Sequence, residues 1–355
     1  VNILSLFDGM SCGMIAAERA GLKVDKYYAS EIDKYASQAS QANYPDIIRL
    51  GDVTGWRDWS IDWASIDLLI GGSPCQGFSF AGKQLAFDDP RSKLFFVYVD
   101  ILNHIRSANP DVKFLLENVK MKKEHLAVIS KQLGVEPVFI NSSLVSAQNR
   151  QRYYWANWEI KQPADLGIAL SDIIETNPNN TTFMSDKFKA RNAHILRDDL
   201  TGKAKSLSAM EYAKNGRQRD YINPAAMVVR KLDEHGKARC VSTVAKDSLV
   251  SNLPAGRYPL SKPLRIGDIG RDSQGYRIYS EMGKSPCILC NPAGGNKPIY
   301  FGSLNSYRKL TPIECERLQT VPDNYTAHVS NTQRYKMLGN GWTVDVIAHI
   351  FNCMK

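Results

Sequence analysis

Short apolar runs, each closed by a glycine, a proline or an acid, pattern the first 165 residues. Val1 to Phe7, Tyr27 to Ser30, Ile47 to Leu50, Ile66 to Ile70 and Phe114 to Leu116 each read as a buried strand. Helices are expected between them: Met14 to Ala20, stopped by Gly21; from Glu31 through about Asn43, ended by Pro45; Leu94 to His104; and His125 to Leu133. Further strands follow at Val135 to Ile140 and Tyr153 to Trp158. Strands alternating with helices in this order predict an α/β fold with a doubly wound, mostly parallel sheet.

The pattern then breaks. From 160 to 305, Asn, Asp, Gly, Ser, Lys and Arg dominate, strands look short, and helical periodicity fades. A weak echo runs through this part as Gly202 to Ser208, Gly236 to Ser242 and Gly283 to Leu289, which suggests related β-hairpins. Regular structure returns with Thr311-Pro312-Ile313-Glu314, a capped helix start with proline in its first turn, and with an apolar helix from Val344 to Cys353. The expected organisation is one domain made of 1–165 plus 335–355, carrying a smaller, irregular β-rich domain at 166–334.

Charge sharpens the division. Residues 180–310 hold 23 Lys and Arg against 11 Asp and Glu, whereas the remainder holds 22 against 25. The whole excess of +9 therefore lies in the irregular segment. A basic segment beside a near-neutral domain reads as a polyanion-binding module joined to a catalytic one, with a merely solvated basic face as the alternative. No apolar run approaches the roughly 20 residues of a membrane span, and no signal peptide precedes the first strand, so a cytoplasmic location is expected. Seven scattered cysteines argue against a disulfide framework. Cys287 and Cys290 have the spacing of half a zinc site, but no second pair or histidine lies near them, and no metal is expected.

Candidate chemistry gathers where the strands end. Gly71-Gly72-Ser73-Pro74-Cys75 follows a buried strand, and proline stiffens the approach to a single thiol, as a nucleophile requires. A small cysteine packed at a strand end is the plainer alternative. Glu117 closes the next strand and lies on the same sheet edge. The first turn, Phe7-Asp8-Gly9-Met10-Ser11-Cys12-Gly13, permits close backbone approach at a helix N-terminus, but it is neither G-x-G-x-x-G nor a P-loop. Glu31 and Asp52 follow the second and third strands, placed to accept hydrogen bonds from ribose hydroxyls and an adenine amino group. Gln148, Arg150 and Arg152 alternate before an apolar strand, which puts all three on one face and suits an anion or base contact.

Together these residues resemble the DNA (cytosine-5) methyltransferase family, with the motifs in family order over nearly the whole chain. They are Phe7 to Gly13, Ser73-Pro74-Cys75-Gln76, Glu117-Asn118-Val119, Gln148-Asn149-Arg150-Gln151-Arg152, Arg308 to Pro312 with Glu314 and Gln319, and Gly339-Asn340-Gly341-Trp342-Thr343-Val344. Ser11 stands where the family usually has a second glycine, and Trp342 where valine is common. Both variations are similar to the animal de novo branch.

The resemblance implies S-adenosylmethionine as cofactor, duplex DNA as substrate and no obligatory protein partner. It implies that the target cytosine is flipped out of the stack. Cys75 adds to C6, Glu117 holds N3, Arg152 holds the O2 side, and Arg150 holds a neighbouring phosphate or loop. The implied cofactor residues are Phe7, Gly9, Ser11, Gly13, Glu31, Ile32, Asp52, Val53, Pro74, Leu94, Asn340 and Trp342. The glycine-bearing loop Gln76 to Asp89 is expected to close over the DNA. An RNA cytosine methyltransferase, a catalytically silent relative and a nicotinamide oxidoreductase are the rival readings. Retained Cys75, Glu117 and arginines disfavour the second, and the missing G-x-G-x-x-G disfavours the third.

Overall fold

The computed structural model describes residues 1–74, 93–176, 263, 265–268, 277–279, 281, 283–288, 300–302 and 307–354. Its centre is a seven-stranded sheet in the order β3-β2-β1-β4-β5-β8-β6. Strands β1 (Asn2–Leu6), β2 (Lys26–Ser30), β3 (Ile48–Arg49), β4 (Leu68–Gly71) and β5 (Lys113–Val119) run parallel. Of the remaining two, β8 (Gln151–Ala156) runs antiparallel to both its neighbours, β5 and β6 (Val138–Asn141), so β8 alone is reversed and β6 at the edge runs with the parallel strands. A two-residue strand between them, β7 (Gln148–Asn149), leaves the sheet to pair elsewhere. The mostly parallel α/β sheet expected from the sequence is present.

Side chains alternate across the sheet, as the period of two requires. Ile3, Leu68, Ile70 and Leu115 enter one core with α1 (Cys12–Arg19) and the C-terminal helix. Leu4, Leu6, Leu69, Phe114 and Leu116 enter the other, with α3 (Lys93–Ala108) and α4 (Lys123–Leu133). Helix α3 runs past His104 because its apolar stripe continues to Ile105. Helix α2 (Lys34–Asn43) begins after Asp33, whose carboxylate accepts from the Tyr35 and Ala36 amides. That cap leaves Glu31 outside the helix and free to turn toward the first loop.

Within the basic segment, β9 (Arg265–Asp268), β10 (Arg277–Tyr279), β12 (Tyr300–Gly302) and β13 (Tyr307–Lys309) form a four-stranded sheet in the order β13-β12-β10-β9. The third copy of the sequence echo is not a hairpin here. Its strand β11 (Ser285–Pro286) pairs in parallel with β7. The first two copies lie outside the described residues.

The chain then returns to the large sheet through α5 (Pro312–Leu318), α6 (Asn331–Asn340) and α7 (Val344–Asn352). Helix α5 starts as expected: Thr311 accepts from the Glu314 amide, and the Glu314 carboxylate accepts from the Thr311 amide. The stretch 311–334, which the expected organisation assigns to the irregular domain, packs with the sheet. Leu318, Val321 and Tyr325 share a core with Ile3. The Tyr325 hydroxyl donates to the Met10 carbonyl, and Asn43 donates to the Tyr325 carbonyl.

Candidate active site

The turn after β1 is held in a rare backbone conformation. Phe7, Gly9 and Ser11 all have positive φ, at 58°, 60° and 62°. Glycine takes that region freely, whereas a side chain there costs about 1–3 kcal/mol and persists only when its surroundings fix it. At Ser11 the fixing is visible: its hydroxyl donates to Asp8 at 2.5 Å and lies 2.6 Å from the Ser40 hydroxyl, fully buried. Serine thus holds a backbone shape that glycine would take freely, and its side chain points into the protein. The Tyr27 hydroxyl donates to the other Asp8 oxygen at 2.8 Å. Burial pushes the Asp8 carboxyl up to about 6, with Glu31 adding to the rise against the hydrogen bonds from Ser11, Ser5 and Tyr27.

Glu31 closes the loop from the other side. One carboxylate oxygen accepts from the Gly9 amide at 2.7 Å, and the other accepts from the Ile32 and Asp33 amides. Ile32 beside it is 76% exposed, an apolar side chain standing clear of any core. Asp52 caps the short turn Val53–Asp58 through one oxygen, which accepts from the Thr54 amide. Val53 is buried in the core, so only its backbone faces the strand ends. An open space at Gly9, carboxylates at adjacent strand ends and a free apolar side chain fit a nucleoside cofactor. Pro74 and Leu94 are half-buried, at the end of the approach from β4 and the start of α3. Cys75 lies outside the described residues.

The second half of the site stands at the end of β5. Glu117 and Arg152 form an ion pair, Oε1 to Nε, at 2.7 Å, with both side chains nearly buried. The adjacent Asn118 donates to the Ser73 hydroxyl, two residues before Cys75. Gly72 lies between Glu117 and the Trp342 indole: a Cβ built on it would sit 3.1 Å from Glu117 Oε2 and 2.9 Å from Trp342 Nε1. Trp342 also reaches Gly13, whose own Cβ would meet the Tyr27 hydroxyl and Ile70. Gly9 meets Glu31 on the open side, whereas Phe7 packs partly buried against the core of Leu4 and Leu6. Gly13, Trp342 and Gly72 line the passage toward Glu117. Asn340 ends α6 on the exposed surface.

Gln148, Arg150 and Arg152 do not act together as one anion contact. Only Arg152 meets Glu117. Arg150 is 3% exposed and donates to the carbonyls of Gly339 and Gly341 and to Cys287 Sγ. Gln148 is fully buried, donating to the Leu318 carbonyl and to Gln319, and accepting from the Ile288 amide. Gln319 in turn donates to the Leu338 and Gly341 carbonyls and accepts from the Thr343 hydroxyl. These residues clamp the turn that carries Asn340 and Trp342 onto β7 and β8. Burial opposes ionisation of Cys287, but the charges and hydrogen bonds of Arg150 and Arg152 prevail and lower its pKa. Cys12, by contrast, is pushed up to about 12 by burial. Among the described residues no group of three or more His, Cys, Asp and Glu side chains is arranged to hold a metal. Asp8, Gly72, Asn118 and Lys284 carry no sequence signal beyond their place in or beside the motifs.

With this geometry in place, comparison with known proteins decides the family. The model of the C-5 cytosine-specific DNA methylases matches residues 1–355. The chain belongs to that family. It is a DNA (cytosine-5) methyltransferase that takes its methyl group from S-adenosylmethionine. Type II methyltransferase M.NlaX of Neisseria lactamica is 30% identical over 375 residues, covering 100% of this chain and 96% of the relative. Type II methyltransferase M.HhaI of Haemophilus parahaemolyticus is 25% identical over 376 residues, covering 99% and 93%. Among solved structures, methyltransferase EhMeth of Entamoeba histolytica shares the fold with a TM-score of 0.60 at 15% identity, over 100% of this chain and 97% of that one. A putative DNA modification methyltransferase from an Escherichia coli prophage does so with a TM-score of 0.55 at 17%, over 100% and 98%.

Proposed function

We propose that Cys75 is the nucleophile of this methyltransferase and that the Glu117–Arg152 pair receives the flipped cytosine. The observation that carries this reading is the pair itself, set at 2.7 Å beside Gly72, where the chain turns toward Pro74 and Cys75. The thiolate adds to cytosine C6; the C5–C6 π pair shifts to C4–C5 and the C4–N3 π pair onto N3, which leaves an enamine nucleophilic at C5. Glu117 is placed to hydrogen-bond at N3, and Arg152 keeps its carboxylate aimed while donating toward O2. S-adenosylmethionine, when bound, would supply the methyl group that C5 takes up as the sulfonium–methyl bond breaks and the neutral thioether S-adenosylhomocysteine leaves. The C5 proton then leaves, and the thiolate is expelled as the double bond reforms. Glu31 and Asp52 are the residues placed to hold the cofactor's ribose and adenine, with Ile32 against the base.

The basic insert supplies the DNA grip, through phosphate contacts that are strongly salt dependent. We draw it as 166 to about 310, returning the stretch from 311 to the catalytic body because of its shared core with the sheet. Among the described residues no helix is long and apolar enough to cross a membrane. We read the enzyme as working on DNA in the cytoplasm, within a restriction-modification setting, and the type II names of the bacterial relatives support that setting.

The test uses DNA amplified with 5-fluorocytosine in place of cytosine, because fluorine cannot leave as a proton does. Unmutated enzyme and S-adenosylmethionine should give a covalent adduct that survives denaturation and maps to Cys75. Cys75→Ser should abolish both the adduct and methyl transfer to plasmid DNA while retaining DNA binding, since a serine hydroxyl without a dedicated base is a poor nucleophile. An adduct on another residue, or one that persists in Cys75→Ser, overturns the assignment. Transfer RNA offered in parallel should accept no methyl group.

A further inference from the structure

Lys284 is a lysine with no measurable exposure, although it belongs to the basic insert, whose charge is otherwise suited to phosphates. Its ammonium has three protons, and it donates them to the carbonyls of Ser143, Ser146 and Ile168. Among the described residues no carboxylate bonds it. Burial holds its pKa below that of an ordinary lysine, with Asp165 and Asp172 acting in the opposite sense. A buried cation is expensive unless every donor is satisfied, so the cage specifies one position for this segment.

What the cage fixes is a strap. On one side of Lys284, Gly283 and Glu281 accept through their carbonyls from the Leu170 and Ser171 amides. On the other, the Ser285 amide donates to the Ala147 carbonyl, and Ser285 and Pro286 pair with Gln148 and Asn149. Cys287 Sγ then accepts from Arg150, and the Ile288 amide donates to Gln148. The insert is therefore tied to the catalytic body in mid-course as well as where it leaves and rejoins. The tie falls on Arg150, which donates to the Gly339 and Gly341 carbonyls, and on Gln148, which bonds Gln319 and through it the same turn.

We propose that Lys284 is a positioning residue for methyl transfer, and that its three hydrogen bonds seat the strap 283–288 so that DNA held by the insert, the Glu117–Arg152 pair and the Trp342 turn share one register. This rests on the roles proposed above for that pair and for the insert. A strap that is loose leaves both ligands able to bind, because their contacts lie elsewhere, but misaligns the reacting groups. Misplacement of about 1 Å far from the chemistry is enough to cost on the order of a hundredfold in rate.

The experiment compares the full-length protein with Lys284→Met and Lys284→Arg, using unmethylated plasmid DNA and tritiated S-adenosylmethionine. Methyl transfer by the unmutated enzyme is the control on the function itself. Its failure would sink the functional reading and leave the strap to be judged by exchange alone. In Lys284→Met, kcat should fall tenfold or more, while KM for DNA and the cofactor Kd stay within threefold. Lys284→Arg, which keeps a cation able to donate to all three carbonyls, should regain most of the rate. A folded Lys284→Met with unchanged kcat, or with a loss confined to DNA affinity, overturns the proposal. If Lys284→Met does not fold, amide exchange in the unmutated protein decides. Cofactor and DNA together should slow exchange at Ser285 and Ile288, and no change there overturns the proposal equally.

Discussion

Replacing Gly72 by alanine tests the convergence at the heart of the site with a single methyl group. Gly72 does not have a positive φ, so alanine adds bulk without backbone strain. Its Cβ would lie 2.9 Å from Trp342 Nε1, 3.1 Å from Glu117 Oε2 and 3.5 Å from Trp342 Cε2. Ordinary carbon–heteroatom contact begins near 3.5 Å, so the indole and the carboxylate must each retreat by about half an ångström. Overpacking of this size costs about 1–3 kcal/mol in stability. The effect on rate should be larger than that suggests, since the displaced groups are the proposed cytosine ligand and the cofactor-side wall. A fall in kcat of about ten- to a hundredfold is expected, with duplex binding intact. Single-turnover methyl transfer and thermal unfolding would separate the two effects. Gly55→Ala, where a Cβ meets nothing within 4 Å, is the matched control. Adding Trp342→Val should return part of the rate by removing the nearer of the two obstacles. Gly72→Ala with a normal kcat would refute the reasoning.

Two other substitutions follow from the same network. The Asp8 carboxyl titrates at about 6 in the folded protein against 3.8 when free, so the folded state binds that proton more tightly and loses stability as pH rises from about 4 to 6. Relative to the unmutated protein, Asp8→Asn should gain up to about 3 kcal/mol across that window in urea titrations, and equal curves at pH 4.5 and 7 would count against it. Arg150→Lys keeps the charge but loses the planar fork that spans Gly339, Gly341 and Cys287. It should cost about 1.5–3 kcal/mol and move the Cys287 alkylation profile toward that of an ordinary thiol. An unmoved profile would mean that Arg152 alone lowers it.

What was legible in the sequence was what local chemistry decides. Thr311, Pro312 and Glu314 announce their helix because a cap and its partner lie three residues apart. Strands β1, β2, β4 and β5 declare themselves because each buries a short apolar run on both faces. Ser11 was read as cofactor-facing, and the structure turns its hydroxyl inward to Asp8 and Ser40. Ser40 lies 29 positions away, and nothing in a six-residue turn reports it. Arg150 fails the same way: alternation places it beside Arg152, but its partners Cys287 and Gly339 are 137 and 189 residues distant. The expected boundary at 334 left Leu318, Val321 and Tyr325 outside the sheet domain, because the apolar contacts that join them to the core with Ile3 link positions more than 300 residues apart.

Arg150 and Lys284 share a feature that bears on the chemistry. Each is a buried cation whose hydrogen-bond acceptors are mostly backbone carbonyls and include no carboxylate. Carbonyl dipoles satisfy the donors but leave the net positive charge in place, where a carboxylate would cancel it. Arg152 is different, because Glu117 offsets it. Cys287 reports the charge of Arg150 and Arg152 directly: burial alone would suppress its ionisation, and the two arginines more than reverse the effect. On the proposal that Cys75 meets the cytosine beside Glu117 and Arg152, the same two arginines favour the thiolate that attack requires. Arg150 serves that end because its acceptors are two carbonyls and a thiol, whereas a carboxylate in their place would cancel the charge.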